Sequence, residues 1–362
     1  MMVLFLLTAC GQGNRSREAA LRVAVPPVLA PALDGFSEPG QRPIEFVEMH
    51  PYARARDLEV LLFSSGSLAF QGVVIPGRSL PSLHPWLTVL SLVLPKEVRP
   101  DVVRSLGGAS ALAVPLTMDF GVLVIRRDLW AGLALPPPSN LASLREACLV
   151  VRSKEPATQS GIAADLPVDE LFWDLAWSFE GRADTELYTF PKVHVLEFIR
   201  EFHLGRTLPT AKASLDELQR GRSVALFTSL QRGLQLCSQD PRLAILALPS
   251  ASGKALALYN GWCLVKLSGN RDVEPGMARF VMLPFQRHLS DRGWVPALSS
   301  LPGPVAGRTA LERTELYPAP DLEEGGDEIV LGAILDATQG PMAPEEALRR
   351  GAARLRAREG QP

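Results

Sequence analysis

The sequence predicts an α/β chain that folds into two lobes. The first observation is length, because 362 residues exceed a typical single domain. The second is alternation, since short apolar runs typical of buried strands alternate with segments of helical periodicity. The third is composition, because an apolar fraction of 47% provides for a sizeable buried core. The chain contains no internal repeat and no long low-complexity segment.

Short apolar runs predict the strands. Residues 122–125, for example, are apolar, rich in β-branched side chains and too few for a typical helix. Pro115 ends the short run before them. The predicted strands cover residues 21–25, 44–49, 70–75, 113–114, 122–125, 224–227 and 243–248.

Helical spacing, together with caps and stop signals, predicts the helices. Asn140 is a good N-cap, and Ser214 with Glu217 forms a capping box. Pro284 is expected to break the helix that contains it, whereas Pro344 suits the first turn of the last helix. The predicted helices cover residues 141–149, 169–179, 191–203, 214–221, 273–285 and 329–337, and a last one begins at Pro344.

The charges and cysteines exclude several classes of protein. The 37 basic and 39 acidic residues are well mixed and give a net charge of −2, which argues against a nucleic-acid partner. None of the four cysteines has CxxC or zinc-site spacing. Cys148, Cys237 and Cys263 stand in apolar runs typical of buried thiols. A Cys237–Cys263 disulfide remains conceivable.

The N-terminus predicts a lipid anchor. The tetrapeptide Leu-Thr-Ala-Cys that ends at Cys10 resembles the lipobox of bacterial lipoproteins, in which the cysteine thiol receives the lipid. We expect residues 1–10 to be a signal segment and 11–20 a flexible tether. The protein would then be extracytoplasmic and attached to the cell membrane. Because the usual basic region is missing, the true start would lie upstream of Met1, and an ordinary apolar N-terminus is the alternative.

Two segments carry a family resemblance. The stretch AVPLTMDFGVLVIRRDLWAGLALPPPSNLASLREA, residues 113–147, resembles the first crossover between lobes in the family 1 extracellular solute-binding proteins. These are the maltose-binding-like receptors of ABC importers. The stretch YNGWCLV, residues 259–265, resembles the second crossover, and MAPEEALRRGAARLRA near the C-terminus resembles the last helix. The order of these elements, rather than any single residue, carries the resemblance.

The resemblance implies a fold, a function and partners. The fold is the two-lobed periplasmic-binding-protein-like fold of type II, with a hinge and an interlobe cleft. Residues 21–115 and 263–305 would form lobe 1, residues 116–262 lobe 2, and residues 306–362 C-terminal helices packed on the lobes. The implied function is binding of a small solute, a sugar or polyol, for delivery to ABC permease subunits. No cofactor or metal is implied. The chain contains no GxSxG, HExxH, Walker A or GxGxxG motif, so we do not expect an enzyme.

The resemblance also places the candidate ligand contacts. In sugar-binding relatives, aromatic faces stack on sugar rings while carboxylates and amides bind hydroxyl groups. Two alternatives stay open, because Trp262 could be hinge core and Asp119 could cap a turn. The matching positions are Asp119 and Phe120 at the first crossover, Tyr259, Asn260 and Trp262 at the second, and Trp294 and Arg232 elsewhere.

Three positions depart from the maltose-type pattern. Arg232 stands about where a stacking tryptophan would be, and two further aromatic positions read Gly181-Arg182 and Asp327-Glu328. We therefore do not expect a long oligosaccharide as the ligand. The arginines suit an anionic, phosphorylated polyol, or they are solvated rim charges. A divergent scaffold or sensor that binds no sugar is the other alternative.

Overall fold

The computed structural model describes residues 20–49, 70–84, 87–108, 111–154, 161–204, 211–266, 273–301, 305–322 and 325–359. Cys10, the predicted signal segment and residues 11–19 of the predicted tether lie outside the described residues. Among the helices that are described, none combines the length and the hydropathy needed to cross a bilayer.

Within the described part of the chain, eleven strands form three sheets. The first sheet has the order β2-β1-β3-β10-β4, the second has the order β6-β7-β5-β8, and β9 pairs with β11 alone. The strands are β1 Leu21–Val25, β2 Ile44–Glu48, β3 Gly72–Pro76, β4 Ala113–Pro115, β5 Gly121–Arg126, β6 Gly161–Ala164, β7 Ser223–Ser229, β8 Leu243–Leu246, β9 Ala255–Leu258, β10 Trp262–Lys266 and β11 Thr314–Tyr317.

The chain order within the sheets shows where the backbone crosses. The first sheet takes four strands from the N-terminal segment and then β10, which runs antiparallel to both β3 and β4. The second sheet consists of strands between β4 and β9 in the chain. The backbone therefore leaves the first sheet after Pro115 and returns to it at Trp262, at the two crossovers that the resemblance implied.

A third passage, absent from the sequence prediction, lies at β11. Residues 305–313 pack on β8 and on the helix that follows β7. Strand β11 then pairs in parallel with β9, with Thr314 opposite Ala255. After β11 the chain continues into the two C-terminal helices, which pack against helices between β6 and β7. These contacts join the C-terminal segment to the side of the second sheet.

Helices cover the sheets, and six of the fourteen that the structure describes each coincide with one helix predicted from the sequence. The fourteen described helices are α1 Ala30–Leu33, α2 Leu80–Leu83, α3 Pro100–Ser105, α4 Arg127–Gly132, α5 Leu141–Lys154, α6 Val168–Glu180, α7 Phe190–Glu201, α8 Ala211–Gln219, α9 Leu230–Gln239, α10 Glu274–Ala278, α11 Leu283–Asp291, α12 Arg308–Arg313, α13 Gly326–Thr338 and α14 Pro344–Glu359.

The prediction of a single helix over residues 273–285 is wrong. Two helices, α10 and α11, stand in its place, separated by a short 3-10 turn and by Met282 in an extended conformation. Pro284 lies in the first turn of α11, where its missing N–H has no intrahelical partner to lose. The proline therefore opens a helix here rather than breaking one.

No disulfide joins the described cysteines. Cys148, Cys237 and Cys263 are free thiols. Cys263 lies in β10 of the first sheet, whereas Cys237 lies on α9 against the second sheet. The conceivable Cys237–Cys263 bond is therefore not formed. Burial raises the pKa of Cys148 and of Cys263 to about 12.

Candidate functional site

The first crossover is anchored to the second by Thr117. Its hydroxyl accepts a hydrogen bond from Trp262 N at 3.0 Å, and its carbonyl accepts one from the Tyr259 hydroxyl at 2.9 Å. Thr117 is fully buried. Since one residue bonds to both ends of the second crossover, the two crossovers form a single cluster, which we call the crossover cluster and which also includes Asp119, Asn260 and Gln231.

Asp119 caps a helix. Its Oδ1 accepts hydrogen bonds from Phe120 N at 3.1 Å and from Gln231 N at 3.0 Å, in the first turn of α9. A carboxylate at this position satisfies backbone donors and complements the helix dipole. Burial nevertheless outweighs these hydrogen bonds and raises the pKa of Asp119 to about 6. The Asp119 carboxylate therefore binds backbone N–H groups at the start of α9, beside the N-cap residue Ser229.

Asn260 links the crossovers to both sheets. Its backbone N–H donates to Asp119 O at 2.9 Å, and its Nδ2 donates to Glu170 Oε2, at 3.1 Å, on the first turn of α6. Arg78, two residues after the end of β3, forms an ion pair with the same carboxylate. Asn260 Oδ1 is buried and accepts no hydrogen bond from any residue that the structure describes.

Gln231 joins α9 to the turn that carries Trp294. Its Nε2 donates to Gly293 O at 2.8 Å, and its Oε1 accepts from Val295 N at 3.3 Å. The structure thereby brings Trp294 beside the crossover cluster. Gln231 is not among the residues predicted from the sequence, because a glutamine in the first helical turn gives no signal of a contact between distant segments.

Arg232 is also near the cluster and is paired. Its Nη1 lies 3.1 Å from Asp165 Oδ2, and the Asp165 side chain is only 1% exposed. Ser214 donates a hydrogen bond to the same carboxylate oxygen at 2.6 Å. The arginine that replaces the expected tryptophan is therefore held on the edge of the second sheet by a buried carboxylate.

Phe120 and Tyr259 correct the predicted set, because their rings belong to the core in this structure. Each residue is 1% exposed. The Tyr259 ring lies so close to Gly77 and Gly261 that a Cβ on either glycine would lie within 3 Å of it. These rings fill space between the two crossovers and present no face to solvent. Trp262 is half-buried and packs against the first sheet's core, as the hinge-core alternative proposed.

A cavity of about 320 Å³ lies next to this cluster. Its wall combines residues of α2 and α3, on the side of the first sheet, with Trp177 of α6 and the segment after β11. Trp177 stands two helical turns beyond Glu170, about 10 Å along α6. The lining is mostly apolar and includes Leu80, Pro81, His84, Arg104, Ser105, Gly107, Leu112, Trp177, Ala183, Asp184, Thr185, Tyr317, Pro318, Ala319, Pro320 and Asp321.

Two tethers fix the cavity wall at Asp184. The indole Nε1 of Trp177 donates to Asp184 O at 2.8 Å, and the Lys192 Nζ lies 2.6 Å from Asp184 Oδ1. Lys192 is fully buried and lies 5.5 Å from the centroid of the Trp173 ring. The cavity has no counterpart among the site residues predicted from the sequence.

Asp174, one turn after Glu170, connects α6 to the crossing strands. Its Oδ1 accepts a hydrogen bond from Leu258 N, at the end of β9, at 2.7 Å, and a second hydrogen bond comes from Gly121 N at the start of β5. Burial raises the pKa of Asp174 to about 8. One face of α6 thus carries Glu170, Asp174 and Trp177, each facing the junction of the two sheets.

Comparisons with known proteins give a fold match and no sequence match. No family model matches the chain, and no curated protein matches its sequence. The structure is similar to the sugar-binding protein MalE of Xanthomonas citri, with a TM-score of 0.75, 15% identity, and coverage of 95% of this chain and 100% of the other.

Two further solved structures show the same likeness. The GacH receptor of Streptomyces glaucescens, described unliganded and with acarbose, gives a TM-score of 0.73 at 14% identity, covering 94% of this chain and 98% of the receptor. Maltose-bound MalE3 of T. maritima gives 0.72 at 16% identity, covering 93% and 100%. The chain therefore has the two-lobed fold of periplasmic maltose-binding proteins, with lobe 1 built on the first sheet and lobe 2 on the second. The predicted fold class is confirmed.

Proposed function

We propose that this protein is an extracytoplasmic solute-binding receptor of an ABC importer and that its solute is a neutral carbohydrate or polyol. The fold match, over nearly the whole length of proteins described as sugar-binding, supports the receptor class. The proposal includes no catalytic step and no cofactor. It includes the lipid anchor at Cys10 and the permease partners as predictions from the sequence.

The cavity is the observation that carries the proposal. It is lined from both lobes and from the segment after β11, so a solute inside it contacts elements that move relative to one another when a hinge closes. The half-buried Tyr317 side chain supplies apolar aromatic surface for a sugar ring. Trp177 is 2% exposed and packs behind it, with the two ring centroids 6.1 Å apart. Asp184 and Asp321 supply carboxylates that accept hydrogen bonds from hydroxyl groups.

Charge pairing favours a neutral solute over the anionic alternative. Arg78 pairs with Glu170, Arg232 with Asp165, and Arg104, at the cavity, with Glu315. An anion would have to compete with a carboxylate for each of these guanidinium groups. The buried Asn260 Oδ1 adds an acceptor suited to a hydroxyl donor. The cavity lining does not include the crossover residues, so their role as ligand contacts stays a prediction for Asp119, Asn260, Trp262, Trp294 and Arg232.

Thermal unfolding with a panel of solutes tests the proposal. The panel contains maltose, glucose, glycerol and glycerol 3-phosphate, because these separate ring, polyol and phosphate recognition. A solute present at 100 times its Kd stabilises the folded state by about 2.7 kcal/mol, which raises Tm measurably. We expect a sugar or glycerol to raise Tm. A rise with glycerol 3-phosphate alone would support the anionic alternative, and no rise with any member would support the scaffold or sensor alternative.

A further inference from the structure

Two polar bridges formed by the protein's own side chains join the lobes beside the crossovers. The first joins Arg78, at the end of β3 in lobe 1, to Glu170, on α6 in lobe 2. The second joins Gln231, on α9 in lobe 2, to Gly293 and Val295 of lobe 1. Both bridges connect segments that are more than 60 residues apart in the chain, so their formation depends on how the lobes sit together.

The first bridge pairs a buried carboxylate with a cation and with a second hydrogen-bond donor. The Glu170 side chain is only 6% exposed, and a buried carboxylate is costly without a partner. Arg78 supplies the opposite charge, and Asn260 Nδ2 donates to the second oxygen. Separation of the lobes would break the charge-assisted contact with Arg78, while Asn260 belongs to the crossover that serves as a pivot.

The second bridge satisfies both ends of one buried amide. Gln231 is 7% exposed, its Nε2 donates to Gly293 O, and its Oε1 accepts from Val295 N. Backbone groups of lobe 1 thus form hydrogen bonds with the Gln231 side chain, while the Gln231 backbone N–H donates to Asp119. Because Asp119 fixes the start of α9, a rotation that separates α9 from residues 293–295 would remove both side-chain hydrogen bonds together.

We propose that the Arg78–Glu170 ion pair and the Gln231 amide form a latch that holds the lobes together before a solute enters. The receptor population is then biased toward the closed arrangement, and solute enters during the openings of the latch. This inference rests on the hinge motion that the proposed function requires, and it is independent of the identity of the solute. It assigns to three side chains a role in setting the open-to-closed ratio.

Small-angle X-ray scattering of the full chain, without added solute, tests the latch. Arg78→Gln and Glu170→Gln each remove one charge of the ion pair, the double variant R78E/E170R reverses it, and Gln231→Leu removes the second bridge. Arg145→Gln is the matched control, because Arg145 and Glu201 form an ion pair at 2.7 Å wholly within lobe 2. Circular dichroism melting curves report whether each variant folds cooperatively.

We expect Arg78→Gln and Gln231→Leu each to increase the radius of gyration, with a tenfold or larger shift toward the open arrangement, equivalent to about 1.4 kcal/mol. The charge reversal restores the wild-type value in part, and Arg145→Gln leaves it unchanged. Wild-type scattering from both Arg78→Gln and Gln231→Leu, with cooperative melting, would overturn the latch. A sugar that raises Tm while the scattering is unchanged in all variants rejects the latch alone. Altered scattering with no stabilising solute rejects the proposed function alone.

Discussion

The crossover cluster and the cavity are neighbours along α6, but they differ in packing: the cluster is tightly packed, whereas the cavity is open space. In the cluster, backbone and side chains are so close that a Cβ on Gly261 would lie 2.1 Å from Thr117 O. Hydrogen bonds to other parts of the chain are formed by Asp119, Asn260 and Gln231. The cavity instead offers about 320 Å³ of open space along a mostly apolar wall.

The difference separates two tasks that the sequence resemblance merges into one site. A crowded, hydrogen-bonded cluster fixes the geometry of the backbone where it passes between lobes. A mostly apolar cavity lined by the Tyr317 ring has room for a molecule from outside. Our proposal is therefore that the crossovers set how the lobes meet and that the cavity holds the solute. The following predictions test this division.

Gly261→Ala should have the largest effect. The added methyl group would meet Thr117 O and the Tyr259 ring, and the backbone oxygen belongs to the crossover itself and cannot rotate away. We expect a loss of about 3 kcal/mol or more in the free energy of unfolding, measured by urea titration. Gly132→Ala is the control, because a Cβ there has no heavy atom within 4 Å, and its effect should stay below about 1 kcal/mol. Equal effects for the two variants would mean that the cluster is not tightly packed.

Asp119→Asn should change the pH dependence of stability. The pKa of Asp119 is raised to about 6 in the folded protein, so the unfolded chain loses this proton at lower pH than the folded chain does. Stability from this group is therefore lost as pH rises from about 4 to 6, by an amount of about 2–3 kcal/mol. An asparagine keeps the acceptor for Phe120 N and Gln231 N but does not ionise. We expect the variant to lack this decline in urea titrations between pH 4 and 7.

Asp240→Asn is the matched control, with the opposite sign. Arg242 holds the pKa of Asp240 at about 2, so this group contributes stability above pH 4 that is lost as pH falls toward 2. The variant should lose stability at neutral pH and should flatten the acid limb of the profile. If Asp119→Asn behaves like Asp240→Asn, the Asp119 carboxylate is ionised and well paired, and the crossover cluster is not desolvated.

The fold could be predicted from the sequence because its signals are local. Residues 122–125 are apolar in a row and form the middle of β5, and Pro344 begins α14 as its fixed backbone angle favours. The order of elements around Pro115 and Trp262 located both crossovers. The prediction that Pro284 breaks a helix was wrong because proline is disfavoured in the interior of a helix but fits its first turn. The sequence alone does not show which of these positions a proline occupies.

The candidate site was predictable only in part, because exposure depends on the tertiary packing. Phe120 and Tyr259 have the residue type of a stacking platform, yet Gly77 and Gly261 leave space that the Tyr259 ring fills. Asp119 and Asn260 did converge at the crossovers. The cavity depends on segments of α3, α6 and residues 317–321, which meet only through the third passage at β11. No local pattern marks such a meeting point.

Tyr317→Leu tests where the solute binds. If a sugar stacks on the Tyr317 ring in the cavity, leucine keeps apolar volume but removes the ring, and the Kd for the sugar that stabilises the wild type should rise about tenfold, or 1.4 kcal/mol. Trp294→Leu, at the crossover cluster, should raise the Kd less than threefold. Isothermal titration calorimetry measures both. The reverse order would place the solute against the crossovers and would remove the cavity from the binding site.

Arg232→Gln should have the smallest effect on a neutral solute. The guanidinium is bound to Asp165, which also holds Ser214, so the variant disturbs the edge of lobe 2 more than it disturbs the cavity. We expect less than a threefold change in the Kd of the same sugar, by calorimetry, and a small decrease in Tm because Asp165 loses its cation. Binding of glycerol 3-phosphate by the wild type, lost in Arg232→Gln, would contradict this expectation. In that case Arg232 would exchange its carboxylate partner for a phosphate, and the crossover side of the cleft, rather than the cavity, would select the solute.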